Sequence, residues 1–292
     1  MAKETKYSVR DLKKDFPTDE ACLSFIFDTL HSRKCSCGGE YRPVKGRKQF
    51  QCSKCRYQIA PASNTIFHKS DTPLSSWFHA IWIFSNAKSG ISAKEMERQL
   101  GVTYKCAWRI LSLIRQSLKQ DTTKLRGDVE IDAGFFGGKG YGGKDNENLS
   151  KVMAKKSVVL VAVERYGKIR AEIVPDTSAK TMREFLERNI EKKATSLMTD
   201  KSQVYLKTAQ DYDRHFVDHH LGEYVRGDVH INTVETFFGH LKRSIKGTFK
   251  SLSKQHLQSY LDSFVFHYNN RHNDNQRFLA LVDVLLHSPK AL

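Results

Sequence analysis

Three carboxylates, Asp132, Asp200 and Glu235, have the types and settings that a pair of divalent cations requires. Each ion takes several oxygen ligands, and phosphoryl chemistry holds two ions about 3.5–4 Å apart around the attacking and leaving oxygens. Asp132 ends an alternating, strand-like run from Asp128 that soon breaks into Gly137-Gly138. Asp200 closes a second short apolar run that starts at Ser196. Glu235 falls early in a segment of helical spacing, residues 231–246, whose apolar stripe is Val234, Phe237, Phe238, Leu241 and Ile245. Glu235, Gly239, Lys242 and Lys246 run along a neighbouring face, with Arg243 close by. A cation-binding glutamate flanked by phosphate-holding lysines fits that face, and so does a plain solvated Glu–Lys ladder. His230 and Asn232 could orient a ligand, or Asn232 could simply cap the helix.

The elements that must position the trio read as strand, glycine-rich lysine loop, two strands (157–164 and 169–174), a capped helix (178–191), a strand (195–200), then long helices. Val158 to Val163 is continuously apolar, as expected of a strand buried on both faces. This order predicts a ribonuclease H-like α/β layer domain over residues 126–292. Its loop carries Gly138, Gly143 and Lys144 at phosphate-loop spacing, but Asp145 stands where a hydroxyl would have to reach Mg²⁺. ATP binding is rejected, and Lys139 and Lys144 are expected to face a nucleic-acid backbone.

Ahead of this part, residues 1–70 predict a helical lead-in and a zinc ribbon. Cys35 and Cys37, then Cys52 and Cys55, flank a short hairpin pattern, and four thiolates suit a structural tetrahedral Zn²⁺. The first knuckle has one intervening residue where two to four are usual, so His31 is an alternative ligand. Cys22 and Cys106 sit alone in apolar stretches and read as core thiols. Residues 71–125 predict a helix-turn-helix: Thr72 N-caps one helix with Pro73 at its first position, Ser92 with Glu95 caps the next, Gly101 ends it, and Thr103 caps a third. The apolar interval through Met96, Leu100, Trp108 and Leu111 then leaves Tyr104, Lys105 and Arg109 at the exposed start of a recognition helix. An ordinary helical hairpin is the other reading.

The 292 residues carry a formal charge of +16 spread along the chain, which makes nucleic acid the leading partner. With 39% hydrophobic and 27% charged residues, disordered and collagen-like classes are excluded. The charged start and the lack of a long apolar run predict neither signal peptide nor membrane span, hence a cytoplasmic, bacterial-nucleoid location with reduced cysteines.

The stretch from Val129 to Lys139 resembles the first-aspartate motif of zinc-ribbon DDE transposases of bacterial insertion sequences, the ISXO-type branch. Residues 222–235 and 237–243 resemble its glutamate motif, 266–271 its closing motif, and 65–67, 90–92 and 99–102 its front half. The resemblance implies that Asp132, Asp200 and Glu235 are a catalytic triad holding Mg²⁺ (or Mn²⁺). It implies that Zn²⁺ is structural and that the partner is double-stranded DNA, both terminal inverted repeats and target, bound by a homo-oligomer. Metal-dependent cleavage would free a 3′-hydroxyl that attacks target DNA in line. Ala133-Gly134 stands where many members have Glu-Thr, the mark of a sub-branch. Two rivals remain: a non-catalytic DNA-binding regulator (a domesticated transposase), and a simple metal-dependent nuclease on the same fold.

Overall fold

The structure is a computed structural model that describes residues 7–137, 156–273 and 276–288, apart from the side chains of Ala194 and His220. Two compact units emerge, one of residues 1–118 with 270–292 and one of residues 119–269.

The first unit opens with α1 (Val9–Asp15) and α2 (Asp19–Leu30), then β1 (Tyr41–Pro43), β2 (Phe50–Cys52) and β3 (Gln58–Ile59), then α3 (Leu74–Asn86), α4 (Ala93–Leu100) and α5 (Tyr104–Ser117). The lead-in is two helices because Pro17 intervenes and Thr18 starts α2, its hydroxyl accepting from the Ala21 N–H at 3.3 Å. The expected Thr72 cap is corrected. Pro73 is the N-cap residue of α3, and the cap oxygens come from Asp19, which accepts from the Leu74 and Ser75 N–H groups at 3.0 and 2.9 Å. Ser92 and Thr103 cap α4 and α5 as the sequence predicts, and Gly101 closes α4 at a φ of +65°. That left-handed turn suits glycine.

The second unit contains β4 (Leu125–Phe136), β5 (Ser157–Glu164), β6 (Ile169–Val174), α6 (Ala179–Asn189), β7 (Ile190–Asp200), α7 (Gln203–Thr208) and β8 (Asp213–Val217). A 3₁₀ turn (His219–Leu221), β9 (Val225–Arg226) and β10 (Val229–His230) lead to α8 (Asn232–Ser244), which runs into a π-helical turn (Ile245–Phe249), and α9 (Lys254–Asn269) follows. The main sheet has the order β6-β5-β4-β7-β8. Its first two pairings are antiparallel and its last two parallel. Val159, Val161 and Val163 of β5 pack with α8 and α9, while Val158, Leu160 and Ala162 pack with α6 and α7. Helices on both faces thus explain the unbroken apolar run, and the unit is a mixed α/β layer structure.

The last helix, α10 (Arg277–His287), belongs to the first unit. Phe278 stacks on Tyr7 and meets the ring of Phe16, with centroids 5.2 and 5.9 Å apart, and Arg277 donates to the Ser85 carbonyl at 3.3 Å. The ribbon and the helices of residues 71–118 share one unit, and the stretch after Asn269 leaves the sheet-bearing one.

Candidate active site

Asp132 lies inside β4, not at its end, because β4 continues to Phe136. Asp132 pairs with Val161 of β5 and lies two residues past the parallel pair Glu130↔Met198 between β4 and β7. Two residues beyond Met198, β7 ends in Asp200. Asp200 is held from behind: its side chain accepts from the Ser202 N–H at 3.0 Å, and Arg214 donates to its carbonyl and to the Thr199 hydroxyl, both at 2.9 Å. Glu235 stands in the first turn of α8, half exposed, with His219 Nδ1 3.7 Å from its carboxylate. The buried stripe expected of this helix is present in Val234, Phe237, Phe238 and Leu241.

The three carboxylates share one electrostatic field. Burial, opposed by the Ala133 N–H that Asp132 accepts at 2.7 Å, and then the negative charges of Asp200 and Glu235 raise the Asp132 carboxyl from 3.8 to about 7, against Lys242. A partly buried carboxylate with two like-charged neighbours is an environment that favours a bound cation or a proton. The sign of the stability effect follows. Between about pH 4 and pH 7 the metal-free native state keeps a proton that the unfolded chain has released, so this site lowers stability as pH rises through that window. The melting temperature of wild type in EDTA should therefore fall relative to Asp132→Asn as pH is raised from 4 to 7, and Mg²⁺ should close the gap. Parallel melting curves for the two proteins would refute it.

Positions 130, 132 and 134 of β4 share one face, and α8 crosses it. Glu130 accepts from the Thr233 N–H at 2.7 Å, Asp132 feels Glu235, and Gly134 lies under Phe238. A Cβ at Gly134 would be 2.5 Å from the Phe238 ring, so glycine is needed for α8 to lie this close. Gly134→Ala is expected to cost about 1–3 kcal/mol, as overpacked cores do, with stability recovered by adding Phe238→Leu. Melting curves check this; an unchanged melting temperature would refute it. Glu130 was not singled out by spacing, since a glutamate on an alternating strand reads as solvated. The suggested Asn232 cap is likewise corrected: Asn232 begins α8, Ile231 is the N-cap residue, and no side chain of its own segment caps the helix.

In the first unit the Sγ atoms of Cys35, Cys37, Cys52 and Cys55 lie within 4.8 Å of one another. The pairs Cys35–Cys55 and Cys37–Cys52 are 3.7 and 3.4 Å apart. A tetrahedral Zn–S distance of about 2.3 Å sets sulfurs about 3.8 Å apart, so the donor set fits zinc. The short knuckle is accommodated by Gly38 at a φ of +76° and by Gly39, whose Cβ would strike Cys52 Sγ at 2.6 Å. The alternative ligand His31 is the C-cap residue of α2, packed against Phe27 and outside this sulfur cluster. A hydrogen bond from Tyr41 holds the Cys35 thiol at about 6.

Tyr104, Lys105 and Arg109 are exposed at the start of α5, as expected. Leu111 is buried as expected, but Trp108 is 44% exposed, and Ala107 and Ile110 are buried in its place. Lys242, Arg243 and Lys246 are exposed on α8 and its π-turn. Lys242 and Lys246 join Lys250, Phe135 and Phe136 around a cleft of about 420 Å³. Lys139 and Lys144 lie outside the described residues. No helix among the described residues is long and apolar enough to cross a membrane.

Residues 124–269 match the ISXO2-like transposase domain, a span that coincides with the sheet-bearing unit. An uncharacterized protein in transposable element ISH50 of Halobacterium salinarum is 26% identical over 240 residues, covering 77% of this chain and 79% of the relative. Among solved structures, a simian T-cell lymphotropic virus intasome in complex with PP2A regulatory subunit B56 gamma aligns with 73% of this chain and 74% of its own. That alignment has 13% identity and a TM-score of 0.32. The Mos1 strand transfer complex aligns over 74% and 78%, with 11% identity and a TM-score of 0.29.

Proposed function

The chain belongs to the ISXO2-like transposase family, and from that premise we propose how this insertion-sequence transposase works: Asp132, Asp200 and Glu235 form the centre that cuts and joins DNA. The observation that carries the reading is the placement: Asp132 lies in β4 just past its last pair with β7, Asp200 ends β7, and Glu235 stands in the first turn of α8, near enough that its charge and that of Asp200 act on Asp132. A pair of Mg²⁺ or Mn²⁺ ions, when bound there, supplies charge neutralisation at the scissile phosphate and activation of the attacking hydroxyl. The residues do the rest. Asp132 and Asp200 offer oxygens from neighbouring strands of a ribonuclease H-like sheet, and Glu235 offers a third from the helix above. Lys242 and Lys246 face the phosphates flanking the reacting one. The four-cysteine cluster would hold Zn²⁺ and, with α4 and α5 as a helix-turn-helix, would grip the element's terminal repeats through Tyr104, Lys105 and Arg109. A homo-oligomer on DNA follows from the need to bring two element ends together.

The test is strand transfer of a labelled DNA end carrying the element's own terminus into a target plasmid in Mg²⁺. Joined product supports the reading. Specific binding without cutting would replace it by a DNA-binding regulator, and cutting without joining by a nuclease.

A further inference from the structure

Glu130 is completely buried, yet it belongs neither to the apolar core nor to the carboxylate trio. Its oxygens are spent on the start of α8 and on the segment that leads into it. One accepts from the Thr233 and Val234 N–H groups at 2.7 and 3.1 Å. The other accepts from the Thr233 hydroxyl and from Arg165 Nε, both at 2.9 Å, with His230 Nδ1 3.2 Å away. Arg165 also donates to the Asp228 and His230 carbonyls, at 2.8 and 3.1 Å. It thereby ties the approach to α8 to the same carboxylate.

A helix start leaves N–H groups without partners and carries partial positive charge, so a carboxylate there is favourable. Here that carboxylate comes from a strand more than a hundred residues earlier, because α8 brings no cap of its own. Burying a charge is costly unless it is well paired, and an apolar pair could hold a helix to a strand at less cost. What the buried charge adds is direction: two N–H bonds and a guanidinium fix the height and rotation of the first turn. Glu235 is the residue after Val234 in that turn, and Asp132 is two residues after Glu130 on the same face of β4.

We infer that Glu130 is a positioning residue, clamping the first turn of α8 to β4 so that Glu235 is held at the Asp132 site, and thereby setting that site's affinity for divalent cations. The inference rests on the carboxylate-trio reading above.

The test is Mn²⁺ titration of the full chain, followed by the ion's electron paramagnetic resonance signal. It compares wild type, Glu130→Gln, Glu235→Gln and the double variant. Glu130→Gln should weaken Mn²⁺ binding about tenfold or more, the range for groups that orient a metal ligand. The Mg²⁺ concentration for half-maximal joining should rise by a similar factor, with binding of the DNA end unchanged. On the Glu235→Gln background the same substitution should shift Mn²⁺ affinity no further, because the ligand it positions is gone. A clamp that served only folding would lower the active fraction and leave the Mg²⁺ requirement where it was. Equal Mn²⁺ affinity in Glu130→Gln and wild type, or the same loss on both backgrounds, overturns the clamp and leaves the trio standing. A wild-type chain that binds no Mn²⁺ overturns both. Should Glu130→Gln fail to fold, Thr233→Val removes only the hydroxyl contact. Its expected shift is about threefold in the same direction, the scale of one hydrogen bond, and an unshifted affinity there also overturns the clamp.

Discussion

Asp132→Asn is expected to abolish strand joining in Mg²⁺ while binding the element's end as wild type does. The loss should be on the order of 10³-fold or more, since a metal centre supplies several kcal/mol of charge stabilisation to phosphoryl transfer and each 1.36 kcal/mol is tenfold in rate. The substitution is well suited to separate chemistry from folding. Asparagine keeps an oxygen to accept the Ala133 N–H at 2.7 Å. It also removes a negative charge that burial and the neighbouring Asp200 and Glu235 already disfavour. The metal-free variant should therefore melt no lower than wild type at neutral pH, and Glu235→Gln should behave alike in the joining assay. A tenth of wild-type joining surviving in Asp132→Asn would remove Asp132 from the centre.

Stripping zinc should have the second large effect, on the other unit. The strands β1, β2 and β3 span two or three residues each and surround only a few buried side chains, among them Tyr41, Phe50 and Cys52. Structural zinc in modules of this kind contributes about 10–16 kcal/mol of apparent binding free energy, so its removal takes away the fold of the ribbon itself. Cys52→Ser, or chelation of the wild type, should release one zinc per chain, expose residues 31–59 to protease, and weaken binding of the element's ends. Alkylation gives a direct count. Cys35, Cys37, Cys52 and Cys55 should become reactive after chelation. Cys22 should stay inert, its thiol pushed up to about 12 by burial and then by Asp19. Zinc-free protein with the same protease pattern and the same DNA affinity would refute the structural role.

Much of the local structure around the candidate site was legible in the residues, and the reasons differ from case to case. Asp132, Asp200 and Glu235 stood out because each sits in a local pattern, strand, strand and helix stripe, that survives folding. The cysteine cluster was legible by count and spacing, although its short first knuckle needed Gly39, whose missing Cβ leaves room for Cys52 Sγ. Glu130 was not legible, since its meaning depends on a partner, Thr233, that only the tertiary fold brings near. Asp19 capping α3 across more than fifty residues was hidden for the same reason, and Thr72 was the natural choice from neighbours alone. The place of Asp132 inside β4 depends on how far β5 runs beside it, to Phe136↔Ser157, which alternation in one strand does not encode. α10 reads as an ordinary amphipathic helix, and nothing in its own spacing says which unit takes it.

That destination of α10 sets the order in which a newly made chain can mature. The sheet-bearing unit, residues 119–269, is one continuous stretch and has all its parts once the ribosome has passed Asn269. The first unit begins to emerge earlier but lacks Phe278, the ring that meets Tyr7, Phe16 and Phe78, until α10 is made. At translation speeds of about 5–20 residues per second, the intervening unit delays that closure by roughly ten to thirty seconds. Until then the rings of Tyr7, Phe16 and Phe78 lack this partner. The unit whose synthesis starts first is the one finished last.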